Sequence, residues 1–402
     1  MGDAEKPLVS LAKHEKIEIA VKDALDRLNL PNLQGKRILL KPNVGRETEN
    51  PLSINTNPKV VEAVFSYFKE KFDAHYYMGD SPIINTDTQK AFEQSGFTKL
   101  INEPDLQFLD LDEKLALELT IPDGKILKKI KMTGYWNDFD YIISIPVLKM
   151  HMHTGASLSF KNLKGLIYKR NKIKLHHLQV PEILEPYQAT IENIKELDLA
   201  IADLAHITKR PGLAVIDASY AQQGMGPSSG EPIKMDTIIA SPDYLAADII
   251  ALALTQPQWT LKNVPHLYLI SEQRKFHPKT RNDIQCIPEE IEPFNHPIEP
   301  PPKTISIKYK NVNLVSKKSC SACLSTIFNL LKNNKEFVDD HYTEENPLNL
   351  AIGKGIQDSD LYENTFLVGN CTYEHKDKGI FIKGCTPVES TIMRLIKDSL
   401  EK

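Results

Sequence analysis

The spacing of apolar side chains changes repeatedly along this chain, and each change marks an element. "IEIAVKDALDRLN", residues 17–29, places them three and four apart, which predicts an amphipathic helix. "RILLKPN" is a short apolar run stopped by Pro42, the pattern of a buried strand. "NTNPKVVEAVFSYFKEKF" predicts a capped helix. Asn57 is its N-cap, Pro58 its first helical residue, and Val60, Val61, Val64, Phe65 and Phe68 share one face. "AHYYMGD" reads as a strand, "DTQKAFEQSGFTKLI" as a helix and "LQFLDLD" as a strand. Residues 112–132 form a charged excursion before the apolar strand "DYIISIPV".

Residues 190–207, "TIENIKELDLAIADLAHI", predict a helix with Ile191, Ile194, Leu197, Ile201 and Leu204 inward. "GLAVIDA" then gives a strand, and "SPDYLAADIIALALT" a helix started by Ser241 and Pro242. Strands alternating with helices imply an α/β lobe with a mainly parallel sheet flanked by helices. Residues 287–303 hold six prolines and read as an extended linker. Beyond them, "TISIKYKNVNLVS" gives two short strands, "STIFNLLKNNKEF" a helix, "LNLAIG" and "TFLVGN" strands, and "PVESTIMRLIKDSL" a last helix. The expected organisation is therefore a larger domain over 1–286, the linker, and a smaller α/β domain over 304–402.

The chain has 402 residues and a formal charge of −4, which suits two domains and gives no basis for nucleic-acid binding. No apolar run approaches the roughly 18 residues of a membrane span. "MGDAEKPLVSLAKHEK" has no apolar signal-peptide core, and Lys6 stands where a myristoylation signal needs Ser or Thr. The expectation is a cytoplasmic protein without a membrane partner.

Unusual polar residues follow four of the predicted strands. Lys41-Pro42-Asn43 follows "ILL", and Gly79-Asp80-Ser81 follows "YYM". Lys149, His151 and His153 follow "IISIPV", and Asp217 precedes the glycine-rich "GMGPSSG". Ligands of open α/β sheets bind beyond the carboxyl ends of parallel strands. "PVLKMHMHTGASLSFKNLKG", residues 146–165, adds Lys161, Asn162 and Lys164 among small residues that let backbone N–H groups approach an anion. His151 and His153 face one way on an extended segment. They suit a metal pair, a proton-transfer pair, or one functional histidine beside a structural one. His176 and His177 are expected to flank the site, Asp243 to serve a helix dipole, and Asp248 to reach the rim.

Of the five cysteines, Cys286 stands alone. Cys320-Ser-Ala-Cys323 opens a helix, where partial positive charge favours thiolates. Cys371 follows a strand, and Cys385 precedes the last helix. One C-x-x-C joined by two single cysteines favours an iron–sulfur cluster over zinc, whose structural sites use paired knuckles, with a redox dithiol or buried cysteines without metal as the other readings.

Together "LLKPN", "NTNPKVVEAV", "GDS", the 146–165 stretch, "IADL", "RPGLAVIDASYAQQGMGPSSG" and "ASPDYLAADIIAL" resemble the DUF362 family, a domain often found in iron–sulfur proteins. The resemblance covers roughly residues 36–255. "CSAC", "VGNCT" and "KGCTP" look like a cysteine-bearing tail of some members, whereas the ferredoxin-type insertion of many others is missing. The resemblance implies the fold and a four-iron–four-sulfur cluster. A looser likeness in layout is to nickel-pincer lactate racemases.

These readings lead to an iron–sulfur enzyme acting on a small anionic metabolite in an interlobe cleft by redox or lyase chemistry. Cys320, Cys323, Cys371 and Cys385 are its metal ligands. Lys149, His151 and His153 are its catalytic candidates. Lys41, Asn43, Asp80, Ser81, Lys161, Asn162 and Lys164 bind substrate. An electron-transfer protein and a second copy of the chain are candidate partners. The rivals are an iron–sulfur carrier or maturation protein, a racemase-like enzyme with a lysine-anchored cofactor, and a zinc-stabilised protein.

Overall fold

A computed structural model describes residues 6–83, 86–169, 171–175, 178, 194–207, 212–273, 278–301 and 309–400. His176, His177, the start of the 190–207 helix and the first strand of "TISIKYKNVNLVS" lie outside these residues. The chain divides into two compact units. The larger comprises 1–150, 154–223 and 232–299; the smaller comprises 151–153, 224–231 and 300–402. His151, His153 and the whole glycine-rich turn thus belong to the smaller unit, although sequence grouped them with the larger lobe.

The strands of the larger unit are β1 (Leu8–Lys13), β2 (Arg37–Pro42), β3 (His75–Asp80), β4 (Leu106–Asp110), β5 (Leu117–Thr120), β6 (Lys129–Met132), β7 (Tyr141–Ile145), β8 (Val147–His151), β9 (Gly155–Ser157), β10 (Gly212–Gln223), β11 (Glu231–Ser241) and β12 (Gln285–Ile287). The main sheet runs β12-β1-β11-β10-β7-β2-β3-β4, with β8 and β9 attached through β10. The stretch β10-β7-β2-β3-β4 is parallel, and β1 joins β11 antiparallel. Strands buried on both faces need continuous apolar runs, which is why "RILL" and "YIISI" do not alternate. One apolar cluster packs on each face of the sheet.

Three local readings change. The charged excursion contains the antiparallel hairpin β5–β6, whose "LELT" and "KIKM" alternate in polarity. "PLVSLAK" forms β1, an inner strand despite its charged surroundings. The helix expected over "DTQKAFEQSGFTKLI" is two, Thr88–Gln94 and Thr98–Ile101, separated where Gly96 takes φ +85°. Asn57 caps the helix Pro58–Lys71 by accepting from the Lys59 N–H. Among the described residues, no helix is long and apolar enough to cross a membrane.

The smaller unit holds a four-stranded parallel sheet, β13 (Val312–Ser316), β14 (Leu348–Ile352), β15 (Phe366–Val368) and β16 (Ile380–Ile382), in that order. Helices Ser321–Asn333, Lys335–His341 and Glu389–Leu400 supply apolar faces to its core, including Ile327, Leu331, Ile392 and Ile396.

Candidate functional site

In the smaller unit, three parallel strands lead to the cysteines. Cys320 follows β13 and is the N-cap of helix Ser321–Asn333, and Cys323 lies in its first turn. Cys371 follows β15, and Cys385 follows β16. Parallel strands present their carboxyl ends on one rim, so this order gathers the thiols. The loops are tied together: Asn370 N–H donates to Gly384 O at 2.8 Å, and Gly384 N–H donates to Asn370 Oδ1 at 2.9 Å. Gly369 has φ +98°, and a Cβ added there would lie 3.4 Å from Cys323 Sγ. That positive φ favours glycine, and it turns the chain toward Cys371 beside the Cys323 sulfur.

The four thiols feel one another. A hydrogen bond with Cys320, burial, and the charges of Cys320, Cys371 and Cys385 push the Cys323 thiol far up. Burial and neighbouring thiols also raise Cys371 and Cys385. Such a group resists ionisation until positive charge is supplied, which is what a bound metal does. Among the described residues, no three His, Cys, Asp or Glu side chains are placed to hold one metal ion. The thiols share one electrostatic neighbourhood. Cys286 lies apart, buried in β12 of the larger unit.

In the larger unit, β2, β3 and β4 step outward in one direction, and β7 then joins the other side of β2. That reversal is a topological switch point, where open α/β sheets bind ligands. Lys41, at the end of β2, is fully buried. Its ammonium donates to Asp80 Oδ1 at 2.7 Å, Pro42 O at 3.0 Å and Asn162 Oδ1 at 3.1 Å. All three donors are used, so Lys41 fastens strand ends together and has none left for a ligand. Asp80 also accepts from the Ser81 and Val44 N–H groups, and Asn162 Nδ2 donates to Lys41 O and Ser144 Oγ. Ser81 Oγ accepts from Lys172, whose ammonium also reaches Pro82 O.

Lys149 is different. It donates to Asn43 Oδ1 at 2.6 Å and Ile54 O at 2.8 Å, leaving one donor. Burial, then the Arg46 guanidinium, lowers its pKa to about 7 against the pull of Asp80. Lys161 is pushed well below the usual lysine range by burial, Lys164 and Lys149. Arg46 is also lowered by burial. Arg46, Lys149, Lys161 and Lys164 thus crowd positive charge at this end of the larger unit. Arg46 is absent from the sequence expectation; its place in "KPNVGR" directly after β2 was the available signal.

The remaining candidates divide by role. His151 Nδ1 accepts from the His153 N–H at 3.1 Å, and the two rings stand nearly perpendicular with centroids 6.5 Å apart. Both histidines belong to the smaller unit. Asp248, expected at the rim, instead accepts from the Ser159 and Phe160 N–H groups and starts the short helix Ser159–Asn162. Burial raises its pKa to about 7. Asp243 caps helix Tyr244–Thr255 through the Leu245 and Ala246 N–H groups.

The fold and sites define a two-unit α/β protein with a strand-end cation cluster in one unit and a thiol cluster in the other. The chain belongs to the family described as a domain of unknown function, DUF362, whose model matches residues 38–253. It is 27% identical over 222 residues to a thylakoid-associated protein of Synechocystis sp., covering 55% of this chain and 64% of that relative. A crystal structure of a Thermotoga maritima protein aligns with a TM-score of 0.38 and 14% identity, covering 61% of this chain and 59% of that one.

Proposed function

We propose that this DUF362 member is an iron–sulfur protein with a small anionic ligand as its substrate. Cys320, Cys323, Cys371 and Cys385 would hold a four-iron–four-sulfur cluster, and the cation cluster of the larger unit would hold the anion. The observation carrying this reading is the placement of four cysteines at one helix start and after two strands, where burial and one another's charge hold the Cys323, Cys371 and Cys385 thiols up. Bound, the cluster would supply one-electron redox capacity or Lewis acidity.

The chain's own residues set what can bind. Lys149 offers its one uncommitted donor, and Arg46 a guanidinium that suits carboxylate or phosphate. Lys161 and Lys164 add charge, so an anion would relieve repulsion among cations that already exists. Lys41, Asp80 and Asn162 keep the strand ends rigid. Anaerobic reconstitution with iron and sulfide tests the cysteine half. About four irons and four sulfides per chain with a charge-transfer optical band support it, whereas one zinc per chain and no sulfide overturn it. Calorimetric titration with inorganic phosphate and pyrophosphate tests the anion half. Saturable binding lost in Arg46→Ala supports it, and no binding to the unaltered chain overturns it.

A further inference from the structure

Two groups beside the cation cluster have no part in that reading. Asp198 and His266 are both fully buried, on the packed helices Glu196–Ile207 and Pro265–Gln273. His266 Nδ1 lies 3.5 Å from Asp198 Oδ1, and Asp198 Oδ2 accepts from the Lys195 N–H at 3.1 Å. His266 Nε2 has no hydrogen-bond partner among the described residues. A buried imidazole edge without a partner forfeits free energy unless something is to meet it.

The short helix Ser159–Asn162, which carries Lys161, packs against helix Glu196–Ile207, which carries Asp198, and Lys161 lies within electrostatic range of both groups. Asp198 favours its charged form, and Lys161 in turn disfavours protonation of His266. Lys161 sits on the short helix Ser159–Asn162, whose start is fixed by Asp248 and whose end is fixed by the Asn162 bonds. Its ammonium makes no hydrogen bond or ion pair with any described residue, although Lys41, Lys149 and Lys172 are all engaged. Lys161 is therefore the positioned yet uncommitted lysine of the cluster. Among the described residues, Asp198 is the carboxylate that favours the charged form of both bases, whereas burial, Lys164 and Lys149 favour the neutral amine at Lys161.

We propose that Lys161 is a nucleophilic amine that forms an imine with an anionic carbonyl compound, with the Asp198–His266 pair managing the protons. This rests on the anion reading above, because the carbonyl compound is placed by its negative group. The neutral nitrogen attacks the carbonyl carbon and gives a carbinolamine. A C–N bond forms as the C=O π bond opens, and His266 takes a proton from the nitrogen and passes it to the oxygen. The carbinolamine then loses water: His266, protonated, delivers the proton that the departing hydroxyl needs as the C–O bond breaks, and the iminium nitrogen returns a proton to His266. The net change is amine plus carbonyl to imine plus water, with no oxidant or reductant. Fixed amines of lowered pKa are the form in which lysine does this chemistry.

The test uses pyridoxal 5′-phosphate as an anionic aldehyde, borohydride reduction, and peptide mass mapping of the full chain. The expected result is one phosphopyridoxyl group, on Lys161, suppressed by inorganic phosphate. Pyridoxal without the phosphate should label at least about tenfold more slowly, the loss of one charge-assisted contact. Lys161→Arg keeps a positive charge at this position and should lose the label. His266→Gln should keep phosphate affinity and slow imine formation. If phosphate binds but labelling spares Lys161, the nucleophile assignment is overturned and the anion site stands. If Lys161 is labelled equally by both aldehydes and phosphate does not compete, the anion site is overturned, and with it the anionic class of the substrate.

Discussion

Replacing Lys41 by methionine probes the anchor of the larger unit. In the native chain Lys41 and Asp80 are almost wholly excluded from solvent and 2.7 Å apart. After the change Asp80 keeps the Ser81 N–H at 2.8 Å and the Val44 N–H at 2.9 Å, but its carboxylate has no counter-charge. Pro42 O and Asn162 Oδ1 also lose a donor. Removing one partner of a buried pair costs about 3–5 kcal/mol. The two orphaned neutral acceptors place Lys41→Met toward the upper half of that range. The assay is urea unfolding followed by tryptophan fluorescence. Both tryptophans, Trp136 and Trp259, lie in the larger unit, so the signal follows that unit. The double variant Lys41→Met/Asp80→Asn removes both charges and should cost less than the sum of the single changes by about 2 kcal/mol or more. A control at the exposed Lys22–Asp26 pair should leave the midpoint where it was. A loss under about 1 kcal/mol for Lys41→Met, or strict additivity in the cycle, would refute the reasoning.

Two further outcomes follow from the same region. Gly165→Ala would bring a Cβ to 2.0 Å from Asp80 Oδ1 and 2.5 Å from Lys41 Nζ, so it should lower stability by about 1–3 kcal/mol in the same urea assay. Lys149 has a folded pKa of about 7 against an ordinary value of 10.5, so the unfolded chain binds more protons between those values. Stability of the larger unit should therefore rise with pH across that window, and Lys149→Met should flatten the rise in urea midpoints. Anion affinity should run the other way and weaken as pH climbs through about 7, with proton uptake on binding visible by calorimetry in buffers of different ionisation enthalpy.

Most of the parallel core was legible because burial on both faces leaves an unmistakable apolar run, as in "YIISI" and "GLAVI". β1 was not, since its pattern "LVSLAK" is short and its strand status depends on pairing with β11. The rim residues Lys41, Asn43, Asp80, Lys149 and Asn162 could be named from sequence, but not their division of labour. That division depends on counting donors: three are satisfied at Lys41 and two at Lys149. His266 resembles any lone polar residue in the apolar helix "PHLYLIS", and only the fold brings Asp198 to it. The cysteines were singled out by spacing and turn signals, whereas the positive φ of Gly369 required the backbone path.

Iron content of serine variants tests the central claim most directly. After anaerobic reconstitution, Cys323→Ser and Cys371→Ser should each lose most of the iron and the sulfide-to-iron charge-transfer band, while Cys286→Ser in the other unit keeps both. Full iron retention in Cys323→Ser and Cys371→Ser would contradict the assignment of these thiols to one inorganic centre.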